Sequence, residues 1–205
     1  MSWFTGRSVE KSRAGDISVW RDALADELAR AEQDGPLAFG HYDRIGGDRA
    51  ETVLLTRRCV YVRSYNRLFE SHYGSLTVLP LDRVVVAGPI GAADSRLWSL
   101  VVADPAADIE MGEQPLVAYV YECLGDRAAR ALARDFVAEL RGLVPASRFR
   151  TFPETPSIPG PRRPVESAIL LSATVDDPDL RSNLERSWTV LDARSRGLPI
   201  PPRSA

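Results

Sequence analysis

The stretch Thr52-Val53-Leu54-Leu55-Thr56-Arg57-Arg58-Cys59-Val60-Tyr61-Val62-Arg63-Ser64-Tyr65 reads as two short β-type runs, Thr52–Thr56 and Cys59–Tyr65, with only two residues between them. So short a gap admits a hairpin and no crossover helix, so the pair must be antiparallel. Five further runs rich in Val, Leu, Tyr and Thr flank it: Leu37–Tyr42, Gly74–Leu79, Arg83–Ala87, Leu97–Ala103 and Leu116–Leu124. Turn signals at Gly46-Gly47, Tyr65-Asn66, Gly88-Pro89 and Asp104-Pro105 separate them. The spacing stays tight throughout, which favours a meander over a parallel sheet.

Helices bracket the meander. Ile17, Trp20, Leu24, Leu28 and Ala31 recur at three- and four-residue spacing, predicting a helix over 17–34 that Gly35-Pro36 stops. Asp126 to Leu143 is the strongest helical segment. Ala129, Leu132, Ala133, Phe136, Val137, Leu140 and Leu143 form one apolar face, and Arg127, Arg130, Arg134 and Arg141 point away from it. This helix is expected to cover an open end of a small barrel or sandwich. Pro145, Pro153, Pro156, Pro159, Pro161 and Pro164 then predict an extended linker. Beyond it, Ala168–Val175 reads as one strand, and Asp177-Pro178 opens a short helix with Leu180, Leu184, Trp188 and Leu191 along one side. One strand and one helix cannot bury a core alone, so these four side chains are expected to dock on the main domain or on a partner. The chain thus divides into an N-terminal helix at 1–35, a β-rich unit at 36–144 and a Pro-rich arm at 145–205.

Leu54-Leu55-Thr56-Arg57-Arg58-Cys59-Val60-Tyr61-Val62, followed by Leu79-Pro80-Leu81-Asp82-Arg83-Val84, resembles the opening hairpin and following strands of bacterial pleckstrin-homology-like domains. The resemblance spans about residues 37–144. It implies an α+β fold, a mostly antiparallel β barrel or sandwich closed by a C-terminal helix, with 126–143 in the place of that helix. The family has no shared catalytic residues, so the resemblance implies no active site.

Composition narrows the function further. The 205 residues carry a formal net charge of −2, and 44% are apolar, as in ordinary soluble domains. A nucleic-acid binder working through bulk charge would be far more basic. No apolar run approaches the length of a membrane span, and the N-terminal residues do not read as a secretory signal. Lysine occurs once, at Lys11, against 25 arginines spread along the whole chain, a pattern of codon bias rather than of one binding patch. Cys59, Cys123, His41 and His72 cannot build a spaced metal signature, and the cysteines read as reduced thiols in a cytoplasmic protein. There is no phosphate-cradling glycine loop and no nucleophile elbow. In His41-Tyr42-Asp43 the base and the carboxylate alternate in sequence, and the acidic run Asp176-Asp177-Pro178-Asp179 suits a helix N-terminus. No cofactor or metal is expected.

Local charge is more polarised than the total. Residues 57–83 hold five arginines against Glu70 and Asp82, a net of +3, and residues 94–122 hold six acids against Arg96, a net of −5. The sequence therefore favours a non-catalytic cytoplasmic interaction or scaffold module that meets a protein partner or itself. The alternative is binding of an anionic lipid or acidic ligand through Arg57, Arg58, Arg63 and Arg67. A small-molecule enzyme of unknown type is the least favoured reading.

Overall fold

Thr56 makes the decisive hairpin. Its hydroxyl accepts from the backbone N–H of Arg58 (3.3 Å) and of Cys59 (3.1 Å) and donates to the Cys59 carbonyl (3.1 Å), so one side chain ties the two ends of the turn together. The computed structural model describes residues 33, 35–45, 50–66, 71–91, 96–123, 127–153, 163–174 and 176–203. The N-terminal helix expected over 17–34 lies almost wholly outside the described residues.

Seven strands follow in order: β1 Pro36–Arg44, β2 Ala50–Thr56, β3 Cys59–Asn66, β4 Ser71–Pro80, β5 Val84–Pro89, β6 Leu97–Ala103 and β7 Leu116–Glu122. Every expected run is present, each within a few residues of its sequence boundaries, and His72 falls inside β4. They form one antiparallel sheet in the order β4-β3-β2-β1-β7-β6-β5. The β1–β7 pairing is brief, Asp43↔Glu122 and Arg44↔Tyr121, and joins a four-stranded half to a three-stranded half. Val53, Leu55, Val60, Val62 and Leu79 of the first half share one core with Val84, Trp98, Leu100, Val102 and Tyr121 of the second. The architecture is an α+β sandwich-like fold.

It is not a closed barrel, which corrects one form of the expectation. The terminal strands β4 and β5 are not hydrogen-bonded neighbours, and the linker occupies β5's other side. The N–H of Arg150 donates to Ala87 O (3.0 Å), that of Phe152 to Pro89 O (2.8 Å), and that of Gly91 to Phe152 O (2.9 Å). An edge covered this way cannot template further pairing.

The helix α1, Arg127–Leu143, lays Ala133, Phe136 and Leu140 into the shared core, while Arg134 and Arg141 stay exposed. Phe136 meets Trp98 at 4.9 Å between ring centroids and Tyr42 at 5.8 Å. Tyr42 reaches the centre because residue 40 is glycine: a Cβ there would lie 2.5 Å from the Tyr42 hydroxyl oxygen.

The arm differs from its sequence reading. The stretch expected as a strand over Ala168–Val175 is helical as far as Ala173, in a helix, α2, spanning Arg163–Ala173; Val175 lies outside the described residues. Ile169, Leu170 and Ala173 are its buried residues, a one- and four-residue spacing that gives one helical face, whereas a strand would bury alternate residues. The second helix, α3, runs Pro178–Ser195, with the Asp177 carboxylate capping Leu180 N–H (3.0 Å) as Asp-Pro predicts. Both helices join a second core on the outer face of the β5–β7 half, where Val86, Val101, Ala118 and Val120 meet Ile169, Leu170, Phe152 and Leu184.

Candidate functional site

The expected basic surface is divided. Arg57 and Arg58 are exposed on the β2–β3 turn. Arg63 stands four residues beyond Cys59, about 13 Å along the strand, and its Nε donates to Gly74 O (3.2 Å). Arg67 lies outside the described residues. What joins Arg57 and Arg58 instead is the neighbouring turn Leu81–Arg83, bonded to the hairpin through Leu81 N–H and Arg58 O (2.8 Å), with Arg83 exposed on it. Sequence reasoning counted Arg83 in the charge of this region but did not place it beside the hairpin tip.

Near that end, a cleft of about 170 Å³ opens between the end of β4 and the strands β6 and β7. Val78, Leu79, Pro80, Val102 and Val117 give it apolar walls, with Tyr119 and the charged Arg83 and Asp104 also lining it. Deeper in the sheet, the buried Glu51 carboxylate accepts from the Tyr121 hydroxyl (2.9 Å) and from Arg44 (3.3 Å). Arg44 lies 4.4 Å over the Tyr119 ring. Burial, then the Glu51 charge, pushes the Tyr121 hydroxyl well above the ordinary tyrosine range, so it holds its proton and serves as a donor. This network compensates a buried carboxylate and spans β1, β2 and β7. Among the described residues no three His, Cys, Asp or Glu side chains group to hold a metal ion, and no helix is long and apolar enough to cross a membrane.

The expected docking set, Leu180, Leu184, Trp188 and Leu191, is split by the helix geometry. Leu184 is wholly buried, with Leu180 and Trp188 half-buried against the same core. Leu191 is 50% exposed and faces out. The buried positions of α3 instead run Leu184, Ser187, Val190 and Ala193, a three-residue row that drifts backward around the helix by about 60° per step and leaves Leu191 outside it.

The far side of α3 clasps the acidic 3-10 turn Ile109–Met111. Arg186 makes a two-pronged contact with Glu110 (3.2 and 2.6 Å) and donates to Pro201 O (2.6 Å). The hydrogen bond from Arg186 holds the Glu110 carboxyl below its ordinary range. Ser187, buried, donates to Glu113 O (2.7 Å) and accepts from Gln114 (2.7 Å). Gly112, at φ +83, packs against the Leu191 backbone, where a Cβ would come within 3.3 Å. Arg148 and Arg150 of the linker bond elsewhere than to the acidic stretch. Arg148 donates to the carbonyls of Asp82 (3.1 Å) and Val84 (3.0 Å), and Arg150 meets Ser172 O and Asp176.

Around Leu191, α3 leaves an apolar strip. Met111 (52% exposed) is touched by Arg194 at its sulfur (3.0 Å), and Leu198 (48%) follows Ala193, whose carbonyl its N–H meets at 2.8 Å. Ile200 (39%) adjoins Pro201 on the returning tail. Sequence reasoning missed Met111, Leu198 and Ile200; the signal was the run Leu198-Pro199-Ile200-Pro201-Pro202, apolar yet unfit for helix or sheet interior.

No family model matches the chain, and no curated protein matches it. Among solved structures, the hSac2 domain from human phosphoinositide phosphatase Sac2 aligns over 68% of this chain and 93% of that one, at 8% identity and a TM-score of 0.45.

Proposed function

We propose that this chain is a non-catalytic interaction module, its 36–144 unit of pleckstrin-homology-like kind, that binds a protein partner or a second copy through the strip at Met111, Leu191, Leu198 and Ile200. The observation that carries the reading is the clustering of exposure. Four of the five exposed large apolar side chains among the described residues lie on these adjoining segments. Scattered exposed apolar residues need no explanation, but a contiguous group marks an interaction surface. The arm supports the reading, since α3 is held by the sheet-side core and the Ile109–Met111 turn and still leaves Leu191 exposed beside Met111. The test is sedimentation velocity over a range of concentrations, with affinity purification from the source cell alongside it. Leu191→Asp plus Leu198→Asp is the comparison. The proposal requires self-association or partner recovery by the native chain and its loss in the variant; equal behaviour of the two refutes it.

A second reading, binding of an anionic lipid or acidic ligand, rests on Arg57, Arg58 and Arg83 projecting from adjoining turns. Co-sedimentation with anionic but not neutral vesicles, lost at high salt and in Arg57→Glu plus Arg58→Glu, supports it. Equal binding to both vesicle types, or none, rejects it.

A further inference from the structure

We propose that the outer face of β2 and β3 is the docking surface for this chain's own N-terminal segment, residues 17–34. On that face Leu54 and Tyr61 are 2% and 1% exposed, with half-buried Phe39, Cys59, Leu76 and Val78 around them, in a cluster separate from both other cores. A side chain standing on the middle of a sheet keeps its tip in water unless a second layer lies over it. β2 is buried on both sides: Val53 and Leu55 face the shared core, and Thr52, Leu54 and Thr56 face outward, yet every one is at 2% exposure or less. The described helices pack mainly elsewhere, α1 on β1 and β5, α2 on β6 and β7, and α3 on the Ile109–Met111 turn. The covering layer therefore comes from outside the described residues.

Three observations identify it. Gly35 has φ +69, the left-handed conformation that follows a helix end, and Gln33 just before it is helical. The chain thus enters β1 from a helix end, beside β2 and the hairpin turn, since Pro36 pairs with Thr56. Length agrees as well: residues 17–34 span about 27 Å as a helix, and the eight residues of β3 span about 26 Å. Finally, Ile17, Trp20, Leu24, Leu28 and Ala31 supply one apolar stripe of the required extent. The four-residue segments 46–49, 67–70 and 92–95 are too short to cover strands of this length, and 154–162 is tied at both ends to the other half of the sheet, to Phe152 on β5 and to α2 on β6 and β7.

Cys59 reports on the contact because it lies in this cluster, while Cys123, 2% exposed in the shared core, is an internal control. The full chain and its Trp20→Glu plus Leu24→Glu variant are treated with a chromogenic disulfide reagent, with near-UV circular dichroism checking the core. The expected result is at least a tenfold faster Cys59 reaction in the variant, Cys123 staying slow in both. Asp26→Lys, on the side of the helix opposite the stripe, should leave the Cys59 rate as in the native chain. An unchanged rate in the folded double variant, or an equal rise in Asp26→Lys, overturns the proposal. Should the double variant fail to fold, hydrogen exchange on the native chain decides. Amides 20–31 protected at least a hundredfold at every concentration support docking in the same chain; random-coil exchange, or protection lost on dilution, overturns it.

Discussion

Gly88→Ala should unlatch the arm from the sheet. Gly88 has φ +150, and a Cβ built there would stand 1.9 Å from the Arg150 carbonyl oxygen and 2.9 Å from its carbon. Both are backbone atoms, so no flexible side chain can swing aside. Either β5 or segment 149–152 must move, breaking the contacts of Arg150 N–H with Ala87 O, Phe152 N–H with Pro89 O, and Gly91 N–H with Phe152 O. At about 1 kcal/mol each these sum to about 3 kcal/mol, and forcing a side chain into this conformation adds about 1–3 kcal/mol. A loss of about 4–6 kcal/mol is expected in urea titration, a large part of a typical domain's stability. Hydrogen exchange should show the amides of Gly91, Arg150 and Phe152 losing protection first. Gly74→Ala is the control, because Gly74 also has positive φ (+76) but its Cβ would meet nothing within 4 Å. That variant should lose only about 1 kcal/mol, the conformational part alone. If Gly88→Ala costs no more than Gly74→Ala, the strap is not held against β5 as described.

Phe136→Ala should cost about 3–5 kcal/mol, since the ring is wholly buried between Trp98 and Tyr42; a loss below about 1 kcal/mol would remove it from the core. On α3, Leu184→Ala should cost about 2–5 kcal/mol and Leu191→Ala less than about 0.5 kcal/mol, because the first is buried and the second half exposed. Denaturant titration giving the reverse order would rotate the helix. Glu110 binds its proton less readily folded than unfolded, so its contribution is present above the ordinary carboxylate range and lost as pH falls through the depressed value. Protection factors of the α3 amides, which divide out the intrinsic slowing of exchange in acid, should therefore fall as Glu110 takes up its proton, by a margin that Glu110→Gln, already lacking the charge, does not show.

Periodicity in the sequence was enough for the strands and α1, because alternation and a four-residue stripe reflect which side of each element meets a core. It failed at Ala168–Val175, where Ala-Ile-Leu-Leu-Ser-Ala-Thr-Val is apolar on too many positions to show either period. Only the packing of Ile169, Leu170 and Ala173 on β6 and β7 settles it as helical. The Pro-rich linker reads as extended, but its place on β5 is not legible, because Phe149 and Phe152 bond a strand more than 50 residues earlier and no local pattern signals such a partner. The spread of the basic residues was hidden for a related reason. Arg57, Arg58 and Arg63 are near in sequence, but β3 carries Arg63 away from the tip at about 3.3 Å per residue, and a turn from elsewhere brings Arg83 to it.

How the arm is used constrains where a partner can act. Segment 149–152 occupies one edge of the sheet, and α2 and α3 cover the outer face of β5–β7. A partner that needed either surface would have to displace Phe152, Ile169 and Leu184, all 1% exposed or less, at about 1.5–3 kcal/mol each. It would also have to break the Ser187 and Arg186 contacts with the acidic turn. Displacement on that scale is out of proportion to the few kcal/mol by which ligands commonly shift conformations. Binding without rearrangement is left with surfaces that already face water, among them the strip around Leu191 and the arginine turns at the hairpin tip. The two differ in chemistry, one apolar and insensitive to salt, the other cationic and screened by it. Repeating one binding measurement at low and high ionic strength therefore separates the two readings.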